Sequence, residues 1–192
     1  DVNVKYTDNK QVDVDRQDEY YGSATIGWHP INNFSMSLAQ DLAINSLRNN
    51  INESPDPLRF SSLTALSAQL QLDRLLLSGN VVNTYITESV NTGDKPDDRK
   101  RLSPSFSLSY RLLKDQALYI RTSFKSTFRV PTFNDLYYLR MGNTGLRPEK
   151  AREYGLGITW SMRLSKWMDN FSVTIDGYYN DVKDKIVAFP ST

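Results

Sequence analysis

Three groups of side chains in this sequence have types and spacings that could do chemistry. Tyr137, Tyr138 and Arg140 set two aromatic planes beside a cation, an arrangement that holds small ligands by stacking, cation–π attraction and hydrogen bonding. Asp94, Asp97 and Asp98, with Asn91 nearby, gather oxygen donors of the kind that suits Ca²⁺, and Asp13, Asp15 and Asp18 repeat the pattern. Neither group has EF-hand spacing. Lys95, Arg99, Lys100 and Arg101 neutralise the first group, so a solvated charged loop is its stronger reading, and no resident metal or cofactor is expected. His29 is the only histidine and Cys is absent. A histidine in a short turn beside Pro30, away from a partner carboxylate and with no thiol to replace it, gives no nucleophile–base pair. The chain is not expected to be an enzyme.

The aromatic group lies inside residues 124–154, FKSTFRVPTFNDLYYLRMGNTGLRPEKAREY, the stretch with most local information. Pro131 fixes its own φ and turns Val130 away from helical angles, so a strand ends near Phe128. Asn134 and Asp135 are read as turn-closing residues. Gly142 and Gly145 permit positive φ, and Pro148 prepares the next strand. Phe128, Arg129, Pro131, Thr132, Phe133, Asp135, Leu136 and Tyr137 fill a Phe-Arg-x-Pro-Thr-Phe-x-Asp-Leu-Tyr run. Gly142, Asn143, Leu146, Pro148, Glu149 and Lys150 follow, then Tyr154 and Gly157 as Tyr-x-x-Gly. This ordered set resembles the barrel-domain motif of TonB-dependent outer-membrane receptors, which import siderophores, cobalamin, haem and glycans. The resemblance implies a membrane barrel, energy supplied by TonB and a small-molecule or iron-chelate substrate. Packing the loop onto a rim is the first role expected of its Tyr, Phe and Pro residues. If there is ligand contact, it falls to Tyr137, Tyr138 and Arg140.

Composition narrows the classes further. With 192 residues, 39% hydrophobic, mean hydropathy −0.51 and net charge +1, the chain has no overall field to recruit nucleic acid. No apolar run approaches the ~20 residues of a spanning helix. DVNVKYTDNK lacks the basic and apolar segments of a leader, so the sequence reads as a mature or internal piece.

Period-two alternation predicts strands over 20–28, 34–47, 60–72, 75–88, 103–112, 117–128, 154–164 and 171–180, with 1–19 a strand end and polar loop. Connections are short after Trp28, Leu72, Leu112 and Leu164, and long after Leu47, Glu88 and Phe128. Long strands joined by short turns at one rim and long loops at the other are the arrangement of an outer-membrane barrel. One face carries Asp41, Arg111, Arg121, Lys125, Glu153, Arg163 and Asp176; the other has no charge at its strand centres. Trp28, Phe34, Trp160, Trp167 and Phe171 gather near the short turns, and Tyr85, Phe124, Phe128 and Tyr154 near the long loops, as two interfacial girdles would.

The predicted fold is all-β, an antiparallel up-and-down meander forming an incomplete part of a large transmembrane barrel. Eight strands fall short of the roughly 22 of a plugged transporter. Residues 1–192 are therefore expected to be a partial barrel domain without the plug or the segment that meets TonB. By the resemblance, Arg111, Arg121, Lys125 and Arg163 would face that plug. Outer-membrane lipid is the expected surrounding, and the excised sheet, with open edges, is expected to self-associate. The alternatives are a passive porin-like barrel, and a soluble lipocalin-like carrier whose apolar face lines a ligand cavity.

Overall fold

Apolar and polar side chains alternate too regularly in this sequence for helices, and the backbone settles accordingly into one sheet. A computed structural model describes residues 15–49, 54–114, 116–137, 142–162 and 171–187. Its strands are β1 (Asp15–Ile31), β2 (Phe34–Asn49), β3 (Leu58–Gln71), β4 (Leu75–Ser89), β5 (Arg99–Arg111), β6 (Ala117–Arg129), β7 (Glu149–Met162) and β8 (Phe171–Lys183). Each pairs antiparallel with its sequence neighbour, giving an open sheet in the order β1 to β8. Among the described residues one short helix, α1 (Phe133–Tyr137), lies between β6 and β7.

The strands are longer than their alternation predicts, mostly at the long-loop ends. β1 begins at Asp15, paired with Asn49, although 1–19 reads as loop. Arg99–Leu102, read as loop, are the first residues of β5, with Arg99 paired to Ile86. Charged and polar residues there keep the ladder while losing the hydrophobic signature by which a strand is recognised. His29 is also displaced from its expected turn. It belongs to β1, next to a register shift between Trp28 and Ile31 that accommodates Pro30, which has no N–H for the ladder.

Register fixes the faces. Directly opposed residues share a face, so Trp28, Met36, Ala68, Gly79, Phe106, Phe124, Tyr154 and Tyr179 lie on the same side. That side is mostly apolar and open, with Ile26 71% exposed and Ile175 69%, and its polar Gln40 is satisfied locally by hydrogen bonds with Ser62 and Thr64. The opposite side holds Asp41, Arg111, Arg121, Lys125, Glu153 and Asp176; Arg163 and Trp167 fall outside the described residues. A recess of about 620 Å³ on the polar side is lined by Ser35, Ser37, Ser67, Ser78, Ser105 and Ser107, with His29 at its edge. A lipocalin-like carrier requires the reverse, an apolar cavity with a polar exterior.

A conventional core is nearly missing. Among the described residues the buried apolar side chains are Ile86, Phe133 and Leu136, all on the inner side at the long-loop rim. Two of the three come from α1.

Candidate functional site

The loop leaving β6 must be carried across the sheet, because its Pro131 carbonyl is bonded to Arg59 of β3 and Tyr137 of α1 to Glu88 of β4, while β5 lies between β4 and β6. Three strand spacings, about 14 Å, separate β6 from β3. Thr132 and Asp135 organise the crossing. The Thr132 amide and hydroxyl both donate to Asp135 Oδ2 at 2.8 Å, and the Asp135 amide donates to Thr132 Oγ1 at 3.2 Å. This is a capping box, with an N-cap hydroxyl and an acidic side chain three residues on that satisfy each other's backbone donors. It makes one helical turn where Asn134 and Asp135 are read from sequence as turn-closing residues. The Thr-x-x-Asp spacing after Pro131 is the signal that identifies it.

α1 presses Phe133 and Leu136 onto the inner wall, beside a buried charge cluster that holds the loop down. Glu88, its side chain 1% exposed, accepts from Arg59 Nε at 3.0 Å and Arg99 Nη1 at 3.0 Å. Tyr137 Oη donates to its other oxygen at 2.8 Å. Arg59 also donates through Nη2 to the Pro131 carbonyl at 2.8 Å, and its guanidinium sits 4.7 Å from the centre of the Phe133 ring. Glu88 thus has both oxygens engaged and two cations against it, the condition under which a buried carboxylate is tolerated. Burial first, then the bond to Glu88, push the Tyr137 phenol well above its ordinary pKa.

The second half of the loop is tied as well. The Asn143 amide donates to the Asp135 carbonyl at 3.0 Å, and the Gly145 amide to Asn143 Oδ1 at 2.9 Å. The loop then re-enters the sheet with Glu149 opposite Arg129, an ion pair at 3.8 Å. Gly157, three residues after Tyr154, has a separate purpose. Arg121 on β6 and Asp176 on β8 pair at 2.8 Å across β7, and a Cβ at Gly157 would run into both.

Pro131, Thr132, Phe133, Asp135, Leu136, Tyr137 and Asn143 are therefore joined in one assembly, Arg129 pairs with Glu149 where the loop re-enters the sheet, and Phe128 and Tyr154 face outward. Tyr154 packs at a tilt against Phe124, ring centres 5.1 Å apart. Of the three residues assigned to ligand contact, Tyr137 has its hydroxyl committed to Glu88, and Tyr138 and Arg140 lie outside the described residues. Arg59 and Glu88 are residues that sequence reading overlooks, and Arg99, read as neutralising the acidic loop, is committed to Glu88 instead. Opposite charges at inward positions of adjacent strand ends would have indicated them.

The acidic loop is arranged differently from a metal site. Asp98 accepts from Thr87 at 2.7 Å and Tyr85 at 3.2 Å, and pairs with Lys95 at 3.8 Å. The Thr87 hydroxyl, ahead of Tyr85 and the two nearby lysines, holds its carboxyl below the usual range. Asp18 pairs with Arg16, Asp13 lies outside the described residues, and of Asp15 only the backbone is described. Among the described residues no three acidic or histidine side chains gather where they could hold a metal ion.

Comparison with known proteins gives matches of three kinds: a family model, a curated relative and solved structures. Residues 2–192 match the family model for the TonB dependent receptor-like β-barrel. Over 101 residues the chain is 27% identical to a vitamin B12 transporter, BtuB, of Photobacterium profundum, covering 53% of this chain and 15% of that protein. The alcaligin outer-membrane receptor FauA of Bordetella pertussis superposes with a TM-score of 0.51 at 14% identity, over 88% of this chain and 30% of that one. The chain thus spans well under half the length of either relative.

Proposed function

From the premise that this chain belongs to the TonB-dependent receptor-like β-barrel family, we propose that it forms barrel wall of an energy-coupled importer in an outer membrane. The observation that carries this reading is the combination of an outward apolar face, a polar inner wall and a family-motif loop clamped across that wall by Glu88. Hydrocarbon outside and hydrated polar groups inside are what a membrane barrel requires. The clamp gives the described part of the loop a fixed base at the inner rim. In this reading ligand contact belongs to Tyr138 and Arg140, with the ring of Tyr137 as their support. The inner-wall residues Arg111, Arg121 and Lys125 face a plug domain, and TonB acts through a segment outside this barrel wall.

The substrate class is a scarce small molecule too large for passive pores. A corrinoid is the first to try, since the BtuB relative is named for vitamin B12, and a ferric siderophore the second, since FauA is named for alcaligin. The test is uptake by whole cells producing the protein, with and without dissipation of the inner-membrane proton gradient. Saturable uptake that stops on dissipation is the expected result. Uptake that continues unchanged would mean a passive porin-like barrel, and overturns energy coupling.

A further inference from the structure

The apolar outer face ends at the long-loop rim in positive charge. Register places Lys150 directly opposite Lys183 and Arg152 opposite Asp181, on the same side as Tyr154 and Tyr179 one step lower. Lys150 is 12 residues along β7 from Met162, at the short-turn end. With a rise of about 3.3 Å per residue and a tilt near 40°, that is about 30 Å, just beyond an apolar band of about 25 Å. The rings of Phe124, Tyr154 and Tyr179 pack at a tilt against one another at the next level of the ladder, at 5.1 and 6.2 Å between successive centres. Aromatic rings of this kind mark the level where hydrocarbon gives way to headgroups. The cations therefore stand at headgroup height and face outward.

A gap in the sheet brings in a fourth cation. Pairing between β5 and β6 stops at Ser105 and Lys125, next to Pro104, which has no amide to donate, while β4–β5 pairing continues to Arg99 and β6–β7 pairing to Arg129. Arg101, an inward position of β5 by register, lines the same recess as Lys150, Arg152, Asp181 and Lys183, a hollow of about 210 Å³. Its Nε is buried without a hydrogen-bond partner. Among the described residues, none of these four cations has an ion-pair partner within 4.0 Å. Two lysines set directly opposite each other repel, and such an arrangement is stabilised by an anion between them.

We propose that this recess binds the phosphorylated headgroup of an outer-leaflet lipid, with Lys150, Arg152, Lys183 and Arg101 as phosphate ligands and the aromatic rings against the acyl chains. Four cations to one carboxylate suit a multiply charged headgroup better than a zwitterionic one, and the adjoining apolar wall favours a lipid over a free anion. The inference rests on the outward face meeting the bilayer, which the cysteine labelling described in the Discussion tests separately.

The experiment is native mass spectrometry of the chain refolded in neutral detergent, titrated with a diphosphorylated lipid and with a neutral-headgroup lipid of the same acyl chains. The diphosphorylated lipid should be retained selectively. Lys150→Gln with Lys183→Gln should weaken it about tenfold or more, whereas Lys114→Gln, at a short turn, should leave it unchanged. Inorganic phosphate at equal concentration should not displace it. Should the double variant not fold, Arg152→Gln alone should weaken binding in the same direction. Equal retention of both lipids, undiminished binding by the folded variant, or displacement by inorganic phosphate would each overturn the proposal.

Discussion

Glu88 is the residue on which the inner rim depends, because two guanidinium groups and a phenol converge on one carboxylate that water scarcely reaches. Removing its charge leaves two cations buried without compensation, and breaking such a pair from one side costs about 3 to 5 kcal/mol. Glu88→Gln, nearly isosteric, should therefore release the loop after β6 and make it the first site of protease cleavage in the folded chain. Unchanged cleavage in Glu88→Gln would show that Phe133 and Leu136 suffice to hold it. Tyr137→Phe removes only the hydrogen bond to Glu88, worth about 1.5 to 3 kcal/mol for a charged acceptor. Because the folded pKa of Tyr137 is raised, its neutral form is the one that folding favours. The stabilisation is complete below the ordinary phenol value of about 10 and is lost as pH climbs past it toward the raised value. Loop protection should accordingly decline in alkali in the parent chain, and decline less in Tyr137→Phe. Gly157 is constrained by a different contact. A Val there would displace Asp176 from Arg121, and loss of heat resistance of the refolded sheet is the expected readout.

At the scale of the strand, the faces decide whether this is a membrane wall. Leu108 and Ser109 are neighbours on β5 with opposite orientation, Leu108 opposed by Leu77 and Ser109 by Leu76. Single cysteines at these positions, treated with a water-soluble thiol reagent in reconstituted membranes, should be protected at Leu108→Cys and labelled at Ser109→Cys. Equal or reversed labelling would make the apolar face an internal core. The assignment was legible in the sequence because hydrocarbon imposes strict alternation on strand centres such as 103–112, where every second residue is Ser or Arg. The strand ends were not, since the residues of 99–102 and 15–19 are mostly charged or polar and lack the apolar period, and Arg99 is buried only through its bond to Glu88. The helix α1 was hidden for a further reason. It is five residues long and is held by Arg59, Glu88 and Arg99, which are 34 to 74 positions away from it in the chain. A motif can be matched residue by residue while its partners, fixed only by register between strands, stay unseen.

Across the whole molecule, the sheet presents two kinds of unsatisfied surface at once. Among the described residues β1 and β8 are the edges of the sheet, each paired on one side, and the mostly apolar face is open from Ile26 through Ile175. Among the described residues few apolar side chains are buried, chiefly Ile86, Phe133 and Leu136 at the inner rim, so cohesion within the sheet comes more from the ladders and the inner-rim ion pairs than from a packed interior. Water should not support that arrangement in a single copy, because exposed strand edges template further pairing and the apolar wall offers a second surface for association. In detergent-free buffer this 192-residue chain should therefore scatter light as an oligomer or aggregate, and in detergent micelles as a smaller species with its β-signal intact. A stable monomer in buffer alone would contradict the outward exposure of the apolar face. The inner-rim clamp makes the comparison more informative. It is built from β3, β4, β5 and the loop after β6, so it does not need the edges to be closed. Protease protection of that loop should then survive in micelles even where β1 and β8 remain unpaired, and its loss there would mean that barrel closure, and not Glu88, positions the motif.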